Sequence, residues 1–298
     1  MKGFLISIVC IALSFFITSF ALKKADGTSF SSSTTENNII DNDSTEEVAE
    51  ESANTIGGDS SDLDFSDITA DYDKWSAYEK ENIDLYSEYI PVDTEGIEIE
   101  KKEFLEKLKT SHYIPVKLES AENIYQLYKL EDDSDEKIAK SVKVNSDIVY
   151  SYLLREDTPF PDFDFTDLYG QNYTSDNTKG KLLVIECWFI QCTTCIQEFP
   201  ILNDLYDRYE DLEDVLFFSI AFDSKSKLLK LLTQKEFRYP VVHSQKEFLK
   251  NQLKIKQYPT HIIVDEYGNI KKMFNNADSL VNYIDNMING DLMENEMM

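Results

Sequence analysis

The sequence predicts an α/β layered fold for the second half of the chain, preceded by a smaller α+β region. After Pro159 and Pro161, short runs rich in β-branched and aromatic residues alternate with helical patterns, an order typical of layered sheets with largely parallel strand pairs. Residues 265–269, DEYGN, form a turn signal between two such runs and predict an antiparallel hairpin. The chain has 298 residues, 42% of them hydrophobic, so it can bury a substantial core.

The charge balance excludes one class of function. Asp and Glu number 56 against 29 Lys and Arg, and the formal net charge is −27. Nucleic-acid binding depends on Lys and Arg side chains that neutralise phosphates. We therefore expect no nucleic-acid partner.

The first residues indicate export. Lys2 precedes an uncharged apolar run over residues 4–22, with small residues where a signal peptidase would cut after Ala21. Residues 1–21 are interpreted as a signal peptide or, if uncleaved, as a membrane anchor, because residues 4–22 are long enough to cross a bilayer. In either case the protein is expected in the periplasm or on the outer face of the cell membrane. Residues 22–61 are polar and acidic and predict a disordered linker.

Residues 62–155 form an N-terminal region whose role the sequence leaves unknown. Phe104, Leu105 and Leu108 have the spacing of a short amphipathic helix within residues 100–109. Residues 115–130 fit extended or mixed structure, and residues 135–154 fit either a helix or a pair of strands. The region shows no catalytic constellation, and its tyrosines fit a core or a contact surface.

The sequence of the second half of the chain predicts alternating strands and helices. Strands are predicted over residues 181–189, 215–222, 239–243 and 261–265, and helices over residues 195–209, 226–237, 245–253 and 278–288. The first strand is apolar on both faces and is therefore expected to be buried on both sides. Glu186 is its exception. Such a carboxyl group is either buried, where its pKa rises, or close to the strand end, where it reaches water.

Two cysteines, Cys192 and Cys195, stand three residues apart at the start of the first predicted helix. Thiols at this spacing in a first helical turn can close a small disulfide ring. At a helix N-terminus, unpaired N–H groups and the helix dipole favour an anion and lower the pKa of a cysteine well below its usual value. The pattern predicts that Cys192 attacks and that Cys195 resolves.

Other uses of this spacing fit less well. A structural zinc would need two more ligands, but His112, His243 and His261 show no ligand spacing and Cys187 lies inside a strand. A purely structural disulfide fits an exported protein, yet so small a loop adds little stability. Redox chemistry without a metal or cofactor is the favoured interpretation.

Taken together, these residues resemble the thioredoxin superfamily. The resemblance rests on a strand followed by C-x-x-C at a helix start, on Pro200 five residues after Cys195, and on Tyr258-Pro259-Thr260 before a later strand. The pattern CxxCxxEFP, the extra β-α segment within residues 215–237 and the export segment are most similar to membrane-associated thiol-disulfide oxidoreductases of the TlpA and ResA type. The resemblance covers residues 157–288.

The resemblance implies a thioredoxin-like fold for residues 156–298, with a central mixed sheet flanked by helices. It implies that Cys192 is the nucleophile, that Cys195 is the resolving cysteine, and that Pro259 follows a cis peptide bond and lies against the disulfide. Glu186 matches the buried acid that exchanges a proton with Cys195. Glu198 matches an acidic residue that follows the motif, although a solvated helix glutamate stays an alternative.

The implied function is that of an exported thiol-disulfide oxidoreductase that reduces disulfides of cell-envelope proteins. Family members are re-reduced by a membrane electron donor, and their substrates can include apocytochrome c. Gln191 stands where the family usually has Trp, and Thr194 where it usually has Pro, which leaves the redox potential and partner choice open. A non-enzymatic, redox-sensitive binding module that uses residues 62–155 is one alternative. A thiol peroxidase is the other, but no P-x-x-x-T-x-x-C signature precedes Cys192.

Overall fold

The N-terminal region is a three-stranded sheet with helices packed against it. The structure is a computed structural model that describes residues 56–58 and 63–296. Its elements are α1 (Ser66–Thr69), α2 (Tyr72–Asn82), β1 (Ile90–Val92), α3 (Lys101–Leu108), β2 (Tyr113–Lys117), β3 (Ile124–Lys129) and α4 (Glu136–Leu153). Strand β3 lies in the middle, parallel to β1 and antiparallel to β2. The predicted helix at Phe104 and the extended segment over residues 115–130 are confirmed; α1, α2 and β1 were not predicted.

Helix α4 resolves the ambiguity that the sequence left over residues 135–154. The side chain of Asp135 caps it by accepting a hydrogen bond from the backbone N–H of Lys137 at 2.9 Å. Ile138, Val142 and Val149 are buried at helical spacing, whereas Val144 is 52% exposed on the outer face. The β-branched residues that suggested strands are thus divided between the two faces of a helix.

The C-terminal part is built on a five-stranded mixed sheet. Its elements are β4 (Asp164–Thr166), β5 (Asn172–Thr174), β6 (Leu182–Trp188), α5 (Thr193–Tyr209), β7 (Val215–Ala221), α6 (Lys225–Leu232), β8 (Val241–Val242), a π-helical turn (Phe248–Gln252), β9 (Thr260–Val264), β10 (Ile270–Phe274) and α7 (Ala277–Glu296). The strand order is β10-β9-β6-β7-β8, and β4 pairs with β5 as a separate hairpin. The fold class predicted from the sequence, a thioredoxin-like central mixed sheet flanked by helices, is confirmed.

Three details of the sequence prediction were wrong. A largely parallel sheet was predicted, but parallel pairing is limited to β6 with β7 and β7 with β8, and β9 runs antiparallel to β6. The antiparallel hairpin predicted from the turn at residues 265–269 is confirmed, because β9 and β10 pair antiparallel. The helix expected over residues 226–237 ends at Leu232, where the hydroxyl of Thr233 donates to the carbonyl of Lys230. The helix expected over residues 245–253 is a single π-helical turn.

One hydrophobic core joins the N-terminal region to the five-stranded sheet. It includes Trp75 and Phe104 on one side and Phe274 and Leu280 on the other, and α4 packs on both β2 and β10. The described residues belong to one compact unit. The sequence placed a domain boundary after residue 155, and the structure shows that the side chains on either side of that boundary share a core.

Polar contacts also cross between the two parts. The ammonium group of Lys272 on β10 lies 2.8 Å from a carboxylate oxygen of Glu88. The hydroxyl of Ser279 donates to the carboxylate of Asp84 at 2.9 Å. These bonds fix the orientation of the N-terminal region on β10 and α7.

The hydroxyl of Tyr152 on α4 reaches the loop that precedes β9. It lies 2.9 Å from the hydroxyl oxygen of Thr260, and the Thr260 hydroxyl itself donates to the carbonyl of Gln257 at 2.7 Å. Because a hydroxyl has one hydrogen, Tyr152 is the donor to Thr260. The N-terminal region thereby supports the residue that follows Pro259.

We expect Tyr152→Phe to lower the free energy of unfolding by about 1 kcal/mol, the usual contribution of one hydrogen bond. Denaturant-induced unfolding measures the change. Tyr150→Phe is the matched control, because the Tyr150 hydroxyl bonds Glu106 at an exposed position and its removal should cost less. Equal losses in the two variants would contradict a specific role of the buried bond.

The export segment predicted over residues 1–21 and most of the linker predicted over residues 22–61 lie outside the described residues. Within residues 56–58, the backbone N–H groups of Ile56 and Gly57 donate to the carbonyl of Gly96 at 2.9 and 3.0 Å, so this short piece packs on the N-terminal region instead of acting as linker. None of the described helices combines the length and the apolar character that crossing a membrane requires.

Candidate active site

The two cysteines of the motif lie where β6 has ended and α5 begins. Cys192 is the N-cap residue of α5, and a disulfide joins it to Cys195 in the first turn, with their Cα atoms 5.3 Å apart. Cys192 is 7% exposed, whereas Cys195 is fully buried. Of the two residues, only Cys192 keeps any exposed surface, so we expect an incoming sulfur to approach Cys192.

The surroundings of Cys192 favour a negative charge on its sulfur. The backbone N–H of Cys195 points at the Cys192 sulfur, with the nitrogen 3.2 Å away, and the first turn of α5 contains no acidic residue. Unpaired N–H groups and the helix dipole stabilise an anion at this position. After reduction, Cys192 is thus placed to be a thiolate nucleophile.

An aromatic cluster supports the disulfide from below. The ring of Trp188, at the end of β6, lies 5.1 Å from that of Phe199 and 5.8 Å from that of Phe237, and it packs in the same buried cluster as both cysteines. The predicted packing of Trp188 under the motif is confirmed. Gln191 and Thr194, the two departures from the family pattern, are exposed beside the cysteines, as is Thr193, so both departures can contact a substrate.

The loop before β9 carries the proline that the resemblance singled out. The Tyr258–Pro259 peptide bond is cis, as expected. The ring of Tyr258 lies 5.4 Å from that of Phe189 and 5.0 Å from that of Phe222, and Tyr258 packs against the cluster that contains both cysteines. Pro259 therefore belongs to the same region as the disulfide.

Glu186 is fully buried in the middle of β6, so the alternative in which it reaches water is wrong. Neither of its carboxylate oxygens has a hydrogen-bond partner among the described residues. Burial raises its pKa well above the ordinary value, and the nearby carboxylate of Glu198 raises it further. Glu186 is consequently neutral in the disulfide form and holds a proton on the same strand face as Trp188, which packs in the cluster of the two cysteines.

We expect Glu186→Gln to stabilise the oxidised protein increasingly as the pH rises. In the folded state Glu186 stays protonated, whereas in the unfolded chain it ionises above its ordinary pKa of 4.5. The unfolded state then binds fewer protons, so this group lowers the stability of the parent by about 1.4 kcal/mol per pH unit until its folded-state pKa is reached. Gln lacks this penalty.

Denaturant unfolding between about pH 5 and 7 measures the difference between the two proteins. The exposed Glu119 supplies the control, because Glu119→Gln should follow the parent in parallel over that range. A Glu186→Gln curve that also runs parallel to the parent would show that Glu186 is ionised in the fold.

Glu198 is buried beside Glu186 instead of lying in solvent, so the alternative of a solvated helix glutamate is wrong. It is 8% exposed, and one carboxylate oxygen lies 3.1 Å from Nε2 of His261. The other accepts a hydrogen bond from the backbone N–H of Ala277, the first residue of α7, at 3.2 Å. Glu198 thus connects α5 to β9 and α7.

The sequence reasoning missed His261. The residue is fully buried on β9 and lies directly opposite Glu186 in the antiparallel pairing of β6 and β9. A signal was present in the sequence, since His261 begins a short β run that is otherwise apolar. Only the strand register shows which acidic residues it meets.

No metal site emerges from the described residues, in which no three His, Cys, Asp or Glu side chains are arranged to hold an ion. Cys187 is a free, buried thiol, and burial raises its pKa far above the ordinary value. A mixed sheet, a C-x-x-C disulfide at a helix N-terminus and a cis-proline loop define the dithiol-disulfide class of thioredoxin-like domains.

Comparison with known proteins agrees with this class. Residues 155–288 match the family model Redoxin. Thiol-disulfide oxidoreductase ResA of Geobacillus kaustophilus is 25% identical over 113 residues, which cover 38% of this chain and 65% of ResA. Thioredoxin-like protein YneN of Bacillus subtilis is 27% identical over 120 residues, which cover 40% of this chain and 70% of YneN. Residues 155–288 form a thioredoxin-like domain that is similar to the Redoxin family and to the thiol-disulfide oxidoreductase ResA.

The chain thus spans about two thirds of the length of these relatives, slightly less in the case of ResA. Solved structures that resemble it include the thioredoxin domain of a thiol-disulfide oxidoreductase from Bacteroides vulgatus. That domain is 24% identical to this chain, with a TM-score of 0.40. The match covers 44% of this chain and 96% of the Bacteroides domain. StoA of Bacillus subtilis is 20% identical, with a TM-score of 0.37, and the match covers 42% of this chain and 97% of StoA.

Proposed function

We propose that this protein is a thiol-disulfide oxidoreductase that reduces disulfides of other proteins through the Cys192/Cys195 pair. The observation that carries the proposal is the disulfide at the N-terminus of α5, in which Cys192 is accessible and Cys195 is enclosed. This asymmetry separates the attacking sulfur from the resolving sulfur. The relatives that match residues of this domain are themselves named thiol-disulfide oxidoreductases or thioredoxin-like proteins.

The reaction proceeds by two thiol-disulfide exchanges. The Cys192 thiolate attacks one sulfur of the substrate disulfide, so that a mixed disulfide forms and the other substrate sulfur leaves as a thiolate. Cys195 then loses its proton and attacks the Cys192 sulfur. The second substrate thiolate leaves, the substrate has gained two electrons, and the protein holds its disulfide.

Glu186 is suited to the proton that Cys195 gives up. An ionised Glu186 accepts it as Cys195 attacks, which leaves Glu186 neutral in the disulfide state, in agreement with the burial of the unpartnered carboxyl. When the disulfide is reduced again, the departing Cys195 thiolate takes the proton back. One buried acid thereby serves both half-reactions.

The setting proposed for this chemistry is the cell envelope. We propose that the predicted export signal over residues 1–21 directs the domain to an oxidising compartment, with disulfide-containing envelope proteins as the substrates. A reductase there needs a source of electrons, and we propose a membrane electron donor that re-reduces Cys192 and Cys195. A membrane-anchored form would hold the domain beside that donor through residues 4–22.

Insulin reduction tests the activity. The purified protein with a dithiol as electron source should accelerate the precipitation of reduced insulin chains well above the rate with dithiol alone, and it should consume peroxide only at background rate. A rate equal to the dithiol blank would contradict an oxidoreductase and favour a binding module. A low reduction potential of the pair would support the reducing direction, and a potential near that of strong oxidants would reverse it.

Export is tested on the protein made in its own cells. We expect mass spectrometry of the N-terminus and fractionation to place the protein outside the cytoplasm, with the chain beginning at Leu22 if the segment is cleaved. An intact Met1 in the membrane fraction would identify the anchor instead. An intact chain in the cytoplasm would contradict envelope substrates.

A further inference from the structure

Two buried polar groups face each other behind the disulfide without a hydrogen-bond partner. Among the described residues, neither carboxylate oxygen of Glu186 is bonded, and neither is Nδ1 of His261. Both side chains are fully buried. Leaving such buried groups unpaired costs free energy, so an arrangement that joins them is favoured over one that does not.

The strand register places these two groups within reach. Glu186 and His261 are directly opposite in the antiparallel pairing of β6 with β9, so their side chains leave the same face of the sheet with Cβ atoms about 5 Å apart. Nε2 of the same imidazole is already bonded to Glu198 at 3.1 Å. His261 therefore lies beside both carboxyl groups, bonded through Nε2 to Glu198 and with Nδ1 free of any partner among the described residues.

Three elements besides β9 contribute groups to this place. Glu186 comes from β6 and Glu198 from α5, while α7 supplies the backbone N–H of Ala277 to Glu198. The hydroxyl of Tyr239, which precedes β8, is buried and has no partner among the described residues. Burial raises its pKa, and nearby Glu186 raises it further. On the other side of β9, the residue opposite His261 is Phe274 of β10, which carries no proton to exchange.

We propose that His261 is the positioning residue of a proton relay that joins Glu186 to Glu198. In the disulfide state, the protonated Glu186 donates to Nδ1, and Nε2–H donates to the ionised Glu198. The relay shifts both protons together. The O–H bond of Glu186 breaks as Nδ1–H forms, and the Nε2–H bond breaks as O–H forms on Glu198, so no proton or electron is gained or lost.

The relay solves a problem that the proposed function raises, and it rests on that function. Glu186 must be ionised to accept the proton of Cys195, yet it is sealed from water. Glu198 is 8% exposed, whereas Glu186 is 0% exposed. A proton bound to Glu198 is therefore closer to solvent than one bound to Glu186. On reduction, Glu186 gives its proton to Cys195 and Glu198 takes up one proton from solvent, so the proton count of the dithiol state balances. In that state Glu186 is ionised, Glu198 is protonated, and Nδ1–H of His261 donates a hydrogen bond to the Glu186 carboxylate.

The tautomer of His261 is the direct readout. In ¹⁵N-detected NMR of the imidazole, the oxidised protein should carry its proton on Nε2 and the reduced protein on Nδ1. His243, which bonds only its neighbour Ser244 through Nδ1, is the internal control and should not change. An identical His261 tautomer in both redox states would overturn the relay.

Two substitutions separate proton transfer from simple packing. His261→Gln can keep a donor near Glu198 and His261→Asn can keep a polar atom near Glu186, but neither amide passes a proton across the ring. Both should slow the resolution of a mixed disulfide by about 10²-fold, the low end of what positioned proton transfer contributes, and both should flatten the dependence of the reduction potential on pH. Unfolding curves identify any variant that merely fails to fold, and in that event the tautomer measurement on the parent decides.

The matched controls are His243→Gln, which should resolve at the parent rate, and Tyr239→Phe, which removes the other group near Glu186. If Tyr239→Phe slowed resolution as much as His261→Gln while the His261 variants kept the parent rate, Tyr239 would be the partner of Glu186 and the relay would be wrong. Insulin turnover by the parent is measured in parallel. Turnover with an unchanged tautomer rejects the relay alone, whereas no turnover rejects the proposed function.

Discussion

Cys192→Ser is expected to reduce insulin-disulfide reduction to the uncatalysed background, a loss on the order of 10³-fold or more for removal of a nucleophile. A serine hydroxyl is not ionised at neutral pH and forms no disulfide. Cys195→Ser should behave differently. Its Cys192 can still attack, but nothing resolves the intermediate, so the variant should accumulate a covalent mixed disulfide with its substrate that gel electrophoresis without reductant detects.

Cys187→Ser is the control for both variants. Its thiol is fully buried within β6, and burial raises the pKa of that thiol, so it is not a nucleophile. The variant should retain turnover close to the parent. If Cys192→Ser lost no more activity than Cys187→Ser, the assignment of Cys192 as the attacking residue would be wrong.

Removal of the N-terminal region should have the second large effect. A chain that begins at residue 155 lacks α4. It therefore loses the hydrogen bond between Tyr152 and Thr260 and the packing of α4 on β10. It also lacks Tyr86, whose ring lies 6.1 Å from that of Phe274, and Glu88, the partner of Lys272. Each large side chain that loses its burial costs about 1.5–3 kcal/mol.

The loss from several such side chains approaches the total stability of a domain, about 5–15 kcal/mol. We therefore expect the shortened chain to lack a cooperative unfolding transition and to lose reductase activity with it. A chain that begins at residue 56 keeps all the described contacts and should unfold as the parent does. Cooperative unfolding of the residue-155 chain at the parent's midpoint would show that the shared core is dispensable.

Local signals in the sequence were sufficient for the cysteine site. The apolar run of β6, the cysteine spacing and the turn at residues 265–269 each act over a few neighbouring residues, and each has the predicted structure. Glu186 could be singled out because it interrupts an apolar strand. These features depend on strand and helix periodicity, which a single sequence displays.

The contacts that complete the site could not be predicted in this way. Glu198 meets His261 and Tyr152 meets Thr260 across separations of 63 and 108 residues, and each contact depends on how helices dock on the sheet. The sequence contains no local pattern for either. Similarly, whether residues 135–154 formed a helix was decided by the two surfaces that α4 covers, not by its β-branched residues.

The most direct test of the whole account is the reactivity of each cysteine in the reduced protein as a function of pH. Alkylation with iodoacetamide, read for each cysteine by mass spectrometry, should label Cys192 first, with a half-maximal rate below about pH 7.5, as for a thiolate at a helix N-terminus. Cys195 and Cys187 should react far more slowly. A half-maximal rate for Cys192 near pH 8.5, about that of a free thiol, or faster labelling of Cys195, would contradict the account.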